Sequence, residues 1–301
     1  MIYLQIDDDM TEVDSWETIV NRPNFVKDFD VKDKILEKII GYYDLKEKTT
    51  CGICSCHTAH NKGYIVLTND GNETNIGNHC GKKYFHVAFE NMSAEFMNAV
   101  EYEKLMAQVS AQKPNVFELW NKINELTVGN KNINWAIKNL KCINNPDVIG
   151  RSAFNELRAI AARGKGDVIF ARPPTKDEID LAEISGQKAP QSVDVVVGMI
   201  SHIECITLGS SLEELFENSL RKPVQLLQDC DVNKSSRLKL RDVARGINSL
   251  DSNILFAKEK INLARAFFQK ENLKQLLNTL SQNRNVSKAD IDHYTSFIET
   301  L

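Results

Sequence analysis

Cys51 and Cys54 stand with two residues between them, Cys56, His57 and His60 follow at once, and His79-Cys80 comes about one hairpin later. A CxxC pair with a second set of Cys and His downstream reads as a zinc site before it reads as anything else. The two-residue spacing lets both sulfurs turn toward one ion, and Zn²⁺ favours four such groups in a tetrahedron. Cysteine ligands bind as thiolates, so metal binding is coupled to folding of the small module that carries them.

Seven side chains compete for the four places. Cys51 and Cys54 come first. Cys80 is next, because it falls where a helix begins and the positive end of a helix favours a thiolate. His60 takes the fourth place, since the residues after Cys54 leave the chain room to turn and come back. His57 and His79 are the alternative ligands, and Cys56 reads as a bystander thiol. No HExxH motif occurs, and His202-Ile203-Glu204 has no Pro-Cys-x-x-Cys after it, so the site reads as closed and structural rather than catalytic.

The remaining cysteines agree with one metal cluster. Cys142, Cys205 and Cys230 are scattered through apolar contexts, as buried free thiols of a reducing compartment would be, not as a disulfide scaffold. With 301 residues, 42% of them hydrophobic and 26% charged, the chain suits one large or two ordinary domains. A formal charge of −4 argues against a protein that coats nucleic acid over its whole surface and leaves a local basic face open. The start MIYLQIDDDM has neither the basic region nor the apolar run of a signal peptide, and no stretch approaches membrane-spanning length. The expectation is a soluble protein of the cytoplasm of whatever cell makes it, with no membrane partner.

Along the chain, residues 2–6 read as a strand. The acidic run of Asp7, Asp8, Asp9, Glu12, Asp14 and Glu17 reads as a solvated, loosely ordered surface, or more sharply as an electrostatic contact for a basic partner. Trp16 sits in that run, where an exposed Trp would be an interface anchor. Asp30 caps an expected helix through Ile35, Leu36, Ile39 and Ile40, apolar at helical spacing. Residues 63–68 and 73–76 read as strands joined by an Asn69-Asp70-Gly71-Asn72 turn, with a helix over 82–89. Ser93 is the expected cap of the next helix, and Pro114 ends it or starts another.

Helical segments follow near 115–126, 131–142, 147–162, 211–229, 235–248 and 251–281, with a last helix capped by Ser287. Residues 164–190 are rich in Gly and Pro around a short helix at 175–184, the best candidate for a boundary or exposed arm. Val193 to Val197 is ambiguous between a strand and a buried helix start. Trp120 and Trp135 fall at apolar helix positions and read as core. The fold class is mainly α with a small zinc-binding, treble-clef-like β-hairpin module, α+β overall. The expected divisions are an acidic segment at 1–48, the zinc module at 49–90, and a helical domain at 91–301 with the 164–190 insertion.

Cys51-x-x-Cys54, Gly63-Tyr64-Ile65-Val66, Gly71 and Ile76-Gly77-Asn78-His79-Cys80-Gly81-Lys82-Lys83-Tyr84-Phe85 resemble a zinc-knuckle segment of uncharacterised phage and plasmid proteins. The resemblance covers about 35 of the 301 residues. It implies that Cys51, Cys54 and Cys80 are ligands and that the setting is a phage or mobile element. It implies no activity.

Lys234, Arg237, Lys239, Arg241 and Arg245 share one helical stretch, with Arg237, Arg241 and Arg245 spaced to line one side. Such a run is ordinarily a solvated face; with Lys82 and Lys83 it is also a possible set of phosphate contacts. Neither a P-loop nor a nucleophile elbow occurs. The first expectation is therefore a non-enzymatic zinc protein that engages a host or phage protein, a setting in which inhibition of a host defence system is a suitable role. A DNA or RNA binder is the second expectation and a zinc hydrolase the third.

Overall fold

The computed structural model describes residues 1–7 and 9–301. Asp8, one member of the acidic run, lies outside the described residues. The chain divides into two compact units, Met1–Gln112 with Asp231–Ala244, and Lys113–Cys230 with Arg245–Leu301.

The first unit holds β1 (Ile2–Ile6), β2 (Asp9–Glu12), α1 (Trp16–Val20), β3 (Leu36–Thr50), β4 (Ala59–Thr68), β5 (Glu73–Ile76) and α2 (Asn78–Gln112). The strands make one five-stranded sheet in the order β2-β1-β3-β4-β5, antiparallel at every pair. Successive strand residues point to opposite faces, and the two faces carry separate cores. Tyr3, Ile39 and Val66 pack on one face with Phe85, Phe89, Phe96 and Val100 of α2. Their sequence neighbours Leu4, Ile40 and Ile65 pack on the other with Ile19 of α1.

The strand at 2–6 and the 63–76 hairpin form as the sequence indicates, although β4 starts earlier, at Ala59. The helix expected after Asp30 is instead β3. Asp30 does cap, but only a turn, its carboxylate accepting from the Lys32 amide at 3.0 Å. Leu36, Ile39, Ile40 and Tyr43 fall at helical spacing, yet all four are buried in the sheet. Register shifts between Leu36 and Lys38 and between Ile39 and Gly41 insert extra residues, and a bulge of that kind breaks the period of two.

The acidic run is more ordered than expected. Asp9–Glu12 is the edge strand β2, and Ser15 caps α1 by accepting from the Thr18 amide. Ser93 caps nothing; it lies inside α2 and its hydroxyl donates to the Glu90 carbonyl at 3.1 Å. α2 starts earlier than the expected 82–89 helix and is interrupted inside that range, at His86 (φ +47°, ψ −133°). The expected divisions at 48/49 and 90/91 fall inside β3 and α2.

The second unit is mainly helical. In chain order it contains α3 (Val116–Asn124), α4 (Ile133–Ile143), α5 (Pro146–Ile149), α6 (Arg151–Arg163), β6 (Asp167–Arg172), α7 (Lys176–Ile184), β7 (Val193–Met199), α8 (Ser211–Glu214) and α9 (Lys222–Asp229). Then come α10 (Arg237–Asn248), whose residues through Ala244 belong to the first unit, α11 (Leu250–Phe267), α12 (Lys270–Gln282) and α13 (Lys288–Glu299). The 164–190 stretch thus contains a strand as well as a helix, and β6 pairs antiparallel with β7. A π-helical run, Leu215–Arg221, joins α8 to α9.

Two expected long helices are broken. The 147–162 helix splits at Gly150 (φ +80°), where a Cβ would meet the Asp290 carbonyl oxygen at 2.7 Å. The 251–281 helix splits after Phe267. Phe267 and Phe268 are fully buried there, and Asn272 Nδ2 donates to the freed Phe267 carbonyl at 2.8 Å. Trp135 packs edge-on to Phe268 with ring centres 5.7 Å apart. Among the described residues, no helix is long and apolar enough to cross a membrane.

Candidate metal centre

Cys51 directly follows β3, Cys56 lies in the loop before β4, and Cys80 lies in the first turn of α2. Their sulfurs all lie within 4.8 Å of one another. Cys56 Sγ and Cys80 Sγ are 3.1 Å apart. Cys51 and Cys80 are buried, and Cys56 is half-buried.

The loop geometry explains why Cys56 joins the group. The Cys51 amide donates to the Thr58 carbonyl at 3.1 Å, closing the 51–58 loop. Within it the Cys56 amide donates to the Ile53 carbonyl at 2.9 Å, a tight reversal that carries Cys56 back toward Cys51. The Cys54 amide donates to the Phe29 carbonyl at 3.1 Å, on the side where Phe29 bridges to Ile53. Cys54 is half-buried and is not a member of the close group.

The expected fourth ligand, His60, has both ring nitrogens engaged elsewhere. Its Nδ1 lies 3.0 Å from the Thr58 carbonyl oxygen, which can only accept, so Nδ1 carries the proton. Nε2 lies 2.6 Å from the Tyr43 hydroxyl, so both ring nitrogens have partners within the chain. Asn75 Nδ2 in turn donates to the Tyr43 oxygen at 3.2 Å. His57 and His79 are exposed, and His57 Nδ1 lies 3.5 Å from the Asp28 carboxylate.

The three thiols differ electrostatically. Burial pushes Cys51 up and pushes Cys80 up to about 12, the nearby Cys56 thiol adding to the Cys80 shift. Cys56 is brought down to about 7, first by the Thr58 hydroxyl beside its sulfur and then by Cys80. The trio therefore combines one more accessible thiol whose ionisation is favoured with two desolvated thiols whose ionisation is opposed. Three soft sulfurs around one point form a set that can hold a metal ion.

Sequence reasoning missed Cys56 because the CxxC spacing drew attention to Cys54. The available signal was the Cys-x-Cys step at 54–56 followed by Thr58, whose hydroxyl sits 3.4 Å from the Cys56 sulfur. The three scattered cysteines lie apart from this group; Cys205 and Cys230 are buried as expected, and Cys142 is only half-buried.

The candidate phosphate contacts largely face carboxylates of their own chain. Arg241 makes a bidentate pair with Glu101 at 2.9 and 2.7 Å, and Arg237 contacts Asn98 and lies 3.6 Å from Glu101. Lys82 pairs with Glu90 at 2.8 Å and Lys234 with Asp231 at 3.5 Å. Lys83 lies over the Tyr84 ring. Lys239 and Arg245 are exposed.

The chain matches no protein-family model, no curated protein and no solved structure.

Proposed function

We propose that this protein is a zinc-stabilised binding protein without catalytic activity, of the phage or mobile-element setting that the 51–85 resemblance implies, and that it engages a host protein. The observation that carries the reading is the Cys51, Cys56 and Cys80 cluster, two of whose three thiols are buried. A soft, all-sulfur donor set suits zinc in a closed site. Cys54, the other thiol of the closed 51–58 loop, is our assignment for the fourth place, with His57 and His79 as the competing choices.

The metal's role in this reading is to fix the junction of loop, hairpin and helix start, and so the surface around it. The nucleic-acid reading loses support from the pairing of Arg237 and Arg241 with Glu101, because a phosphate would have to displace an anion already in place. The zinc-hydrolase reading loses support from the all-sulfur composition of the close group, which contains no His or carboxylate to act as acid or base.

Two measurements test the proposal. Metal analysis is expected to give one zinc per chain, absent from Cys51→Ser and Cys80→Ser; a metal-free, folded wild-type protein would contradict it. Affinity purification from the native host is expected to retain a host protein after nuclease treatment. Loss of all bound material on nuclease treatment would favour the nucleic-acid reading instead.

A further inference from the structure

A cavity of about 300 Å³ opens beside the thiol cluster, and Cys51 and Gly52 form part of its lining. Its walls include Trp16 and Phe25, whose rings meet edge to face at 6.4 Å. Trp16 is held from behind by the buried Tyr43 ring, with centres 4.7 Å apart. The aromatic faces are therefore fixed in place before any ligand arrives. A volume at the bottom of the usual range for ligand sites suits a single side chain better than a cofactor.

The polar groups of the lining are mostly acceptors. Asn75 is 3% exposed and lines the cavity. Its Nδ2 donates to the Thr50 carbonyl at 2.9 Å and to the Tyr43 hydroxyl at 3.2 Å, so its remaining capacity is the acceptor Oδ1. That oxygen lies against Gly52, 3.0 Å from where a Cβ would stand. Asp28 also lines the cavity, its side chain 71% exposed and its carboxylate 3.5 Å from His57 Nδ1. Asp14, Glu17 and Asp30 are exposed close by in sequence. Lys27 is the one cationic residue of the lining and is itself exposed.

Aromatic faces, a carboxylate and a buried carbonyl acceptor together select a flat cation that donates hydrogen bonds. A guanidinium meets all three requirements, because it stacks on aromatic rings, pairs with carboxylates and carries five donors. We infer that this cavity receives an arginine side chain from a basic segment of a partner protein, with Trp16 and Phe25 against the guanidinium and Asp28 as its counter-charge. The inference rests on the binding-protein reading above and gives the partner its chemistry. It also explains the position of the metal, since the loop that supplies Cys51 and Gly52 to the cavity is the one that carries Cys56.

The test uses the full chain with its metal content measured in parallel. The probe is a short peptide with one arginine between glycines, compared by calorimetric titration with its neutral citrulline counterpart. The arginine peptide is expected to bind about tenfold more tightly, the scale of one desolvated cation–aromatic contact. Asp28→Asn, a change at an exposed side chain, should reduce that preference about two- to fivefold, the scale of an exposed ion pair, and Lys27→Glu should increase it. Trp16→Leu should abolish binding, with Trp16→Phe retaining part of it. Equal binding of the two peptides, indifference to Asp28→Asn, or spermidine binding as tightly as the arginine peptide would each overturn the inference. A protein with zinc that fails to bind the peptide sinks this inference alone, whereas a folded protein without zinc sinks the reading beneath it.

Discussion

The two units solve the problem of stability differently. The first spreads its apolar residues over two faces of a five-stranded sheet, so neither core is large, and one of them contains Cys51 and Cys80. The second packs helix on helix through side chains such as Leu140, Leu157, Phe267, Phe268, Leu273 and Tyr294, all 1% exposed or less. Among its described residues no cluster of metal-ligating side chains occurs. Small cores gain most from a staple. The contrast places the one close group of thiols found among the described residues in the unit with the smaller cores, so a metal held there would stabilise that unit and not the chain as a whole.

The largest expected effect breaks this contrast directly. Cys80→Ser should lose the metal and most of the stability of the first unit, on the order of 5 kcal/mol or more, because structural zinc affinity is folding free energy. Hydrogen exchange should then become fast over β3–β5 and stay slow over α11 and α12. Cys142→Ser, in the second unit, should leave both metal content and exchange unchanged.

The converse variant is Phe268→Ala. Removing a fully buried ring should cost about 3–5 kcal/mol, read by urea unfolding. Metal content should remain at the wild-type level. If Phe268→Ala also released the metal, the two units would not be energetically separate.

Arg22→Ala sharpens the account of the first unit. Arg22 forms a bidentate pair with Glu73 at 2.6 and 2.8 Å, and the Glu73 residue is 5% exposed. Its loss leaves a buried carboxylate without a partner, expected to cost about 3 kcal/mol. Arg22→Ala with Glu73→Gln should recover part of that loss in thermal melts.

The smallest effect belongs to the second unit. Arg172 pairs with Glu178, and the Thr175 amide donates to the same carboxylate; together they hold Glu178 down at about 2. A depressed carboxylate contributes stability above its ordinary value, near 4.5, and loses it as pH falls through the depressed one. NMR of α7 should therefore show loosening between about pH 4.5 and 2, while Arg172→Ala should move the titration upward. Because the pair is exposed, global stability should hardly change.

How much of this was legible in the sequence depends on whether local chemistry or pairing decided the element. The 69–72 turn, the Ser287 cap and the helix start at Cys80 follow from residue types at fixed offsets, and each formed as read. β3 was illegible, because two bulges gave a strand the apolar spacing of a helix, and only pairing with β1 and β4 reveals it. The break after Phe267 has no Pro or Gly to signal it. The thiol cluster was legible in two of its three members, Cys51 and Cys80. Cys56 was hidden because its place depends on backbone bonds within the 51–58 loop, which spacing alone does not specify.

The claim that a metal staples the first unit and not the second is tested most directly by hydrogen exchange with mass spectrometry, before and after stripping metal with a strong chelator. The account predicts that native mass spectrometry shows one zinc per chain at the start. After chelation, amides of β3, β4, β5 and the start of α2 should exchange rapidly while those of α4, α6, α11 and α12 stay protected. Unchanged protection of the first unit after verified metal removal, or equal loss from both units, would contradict it.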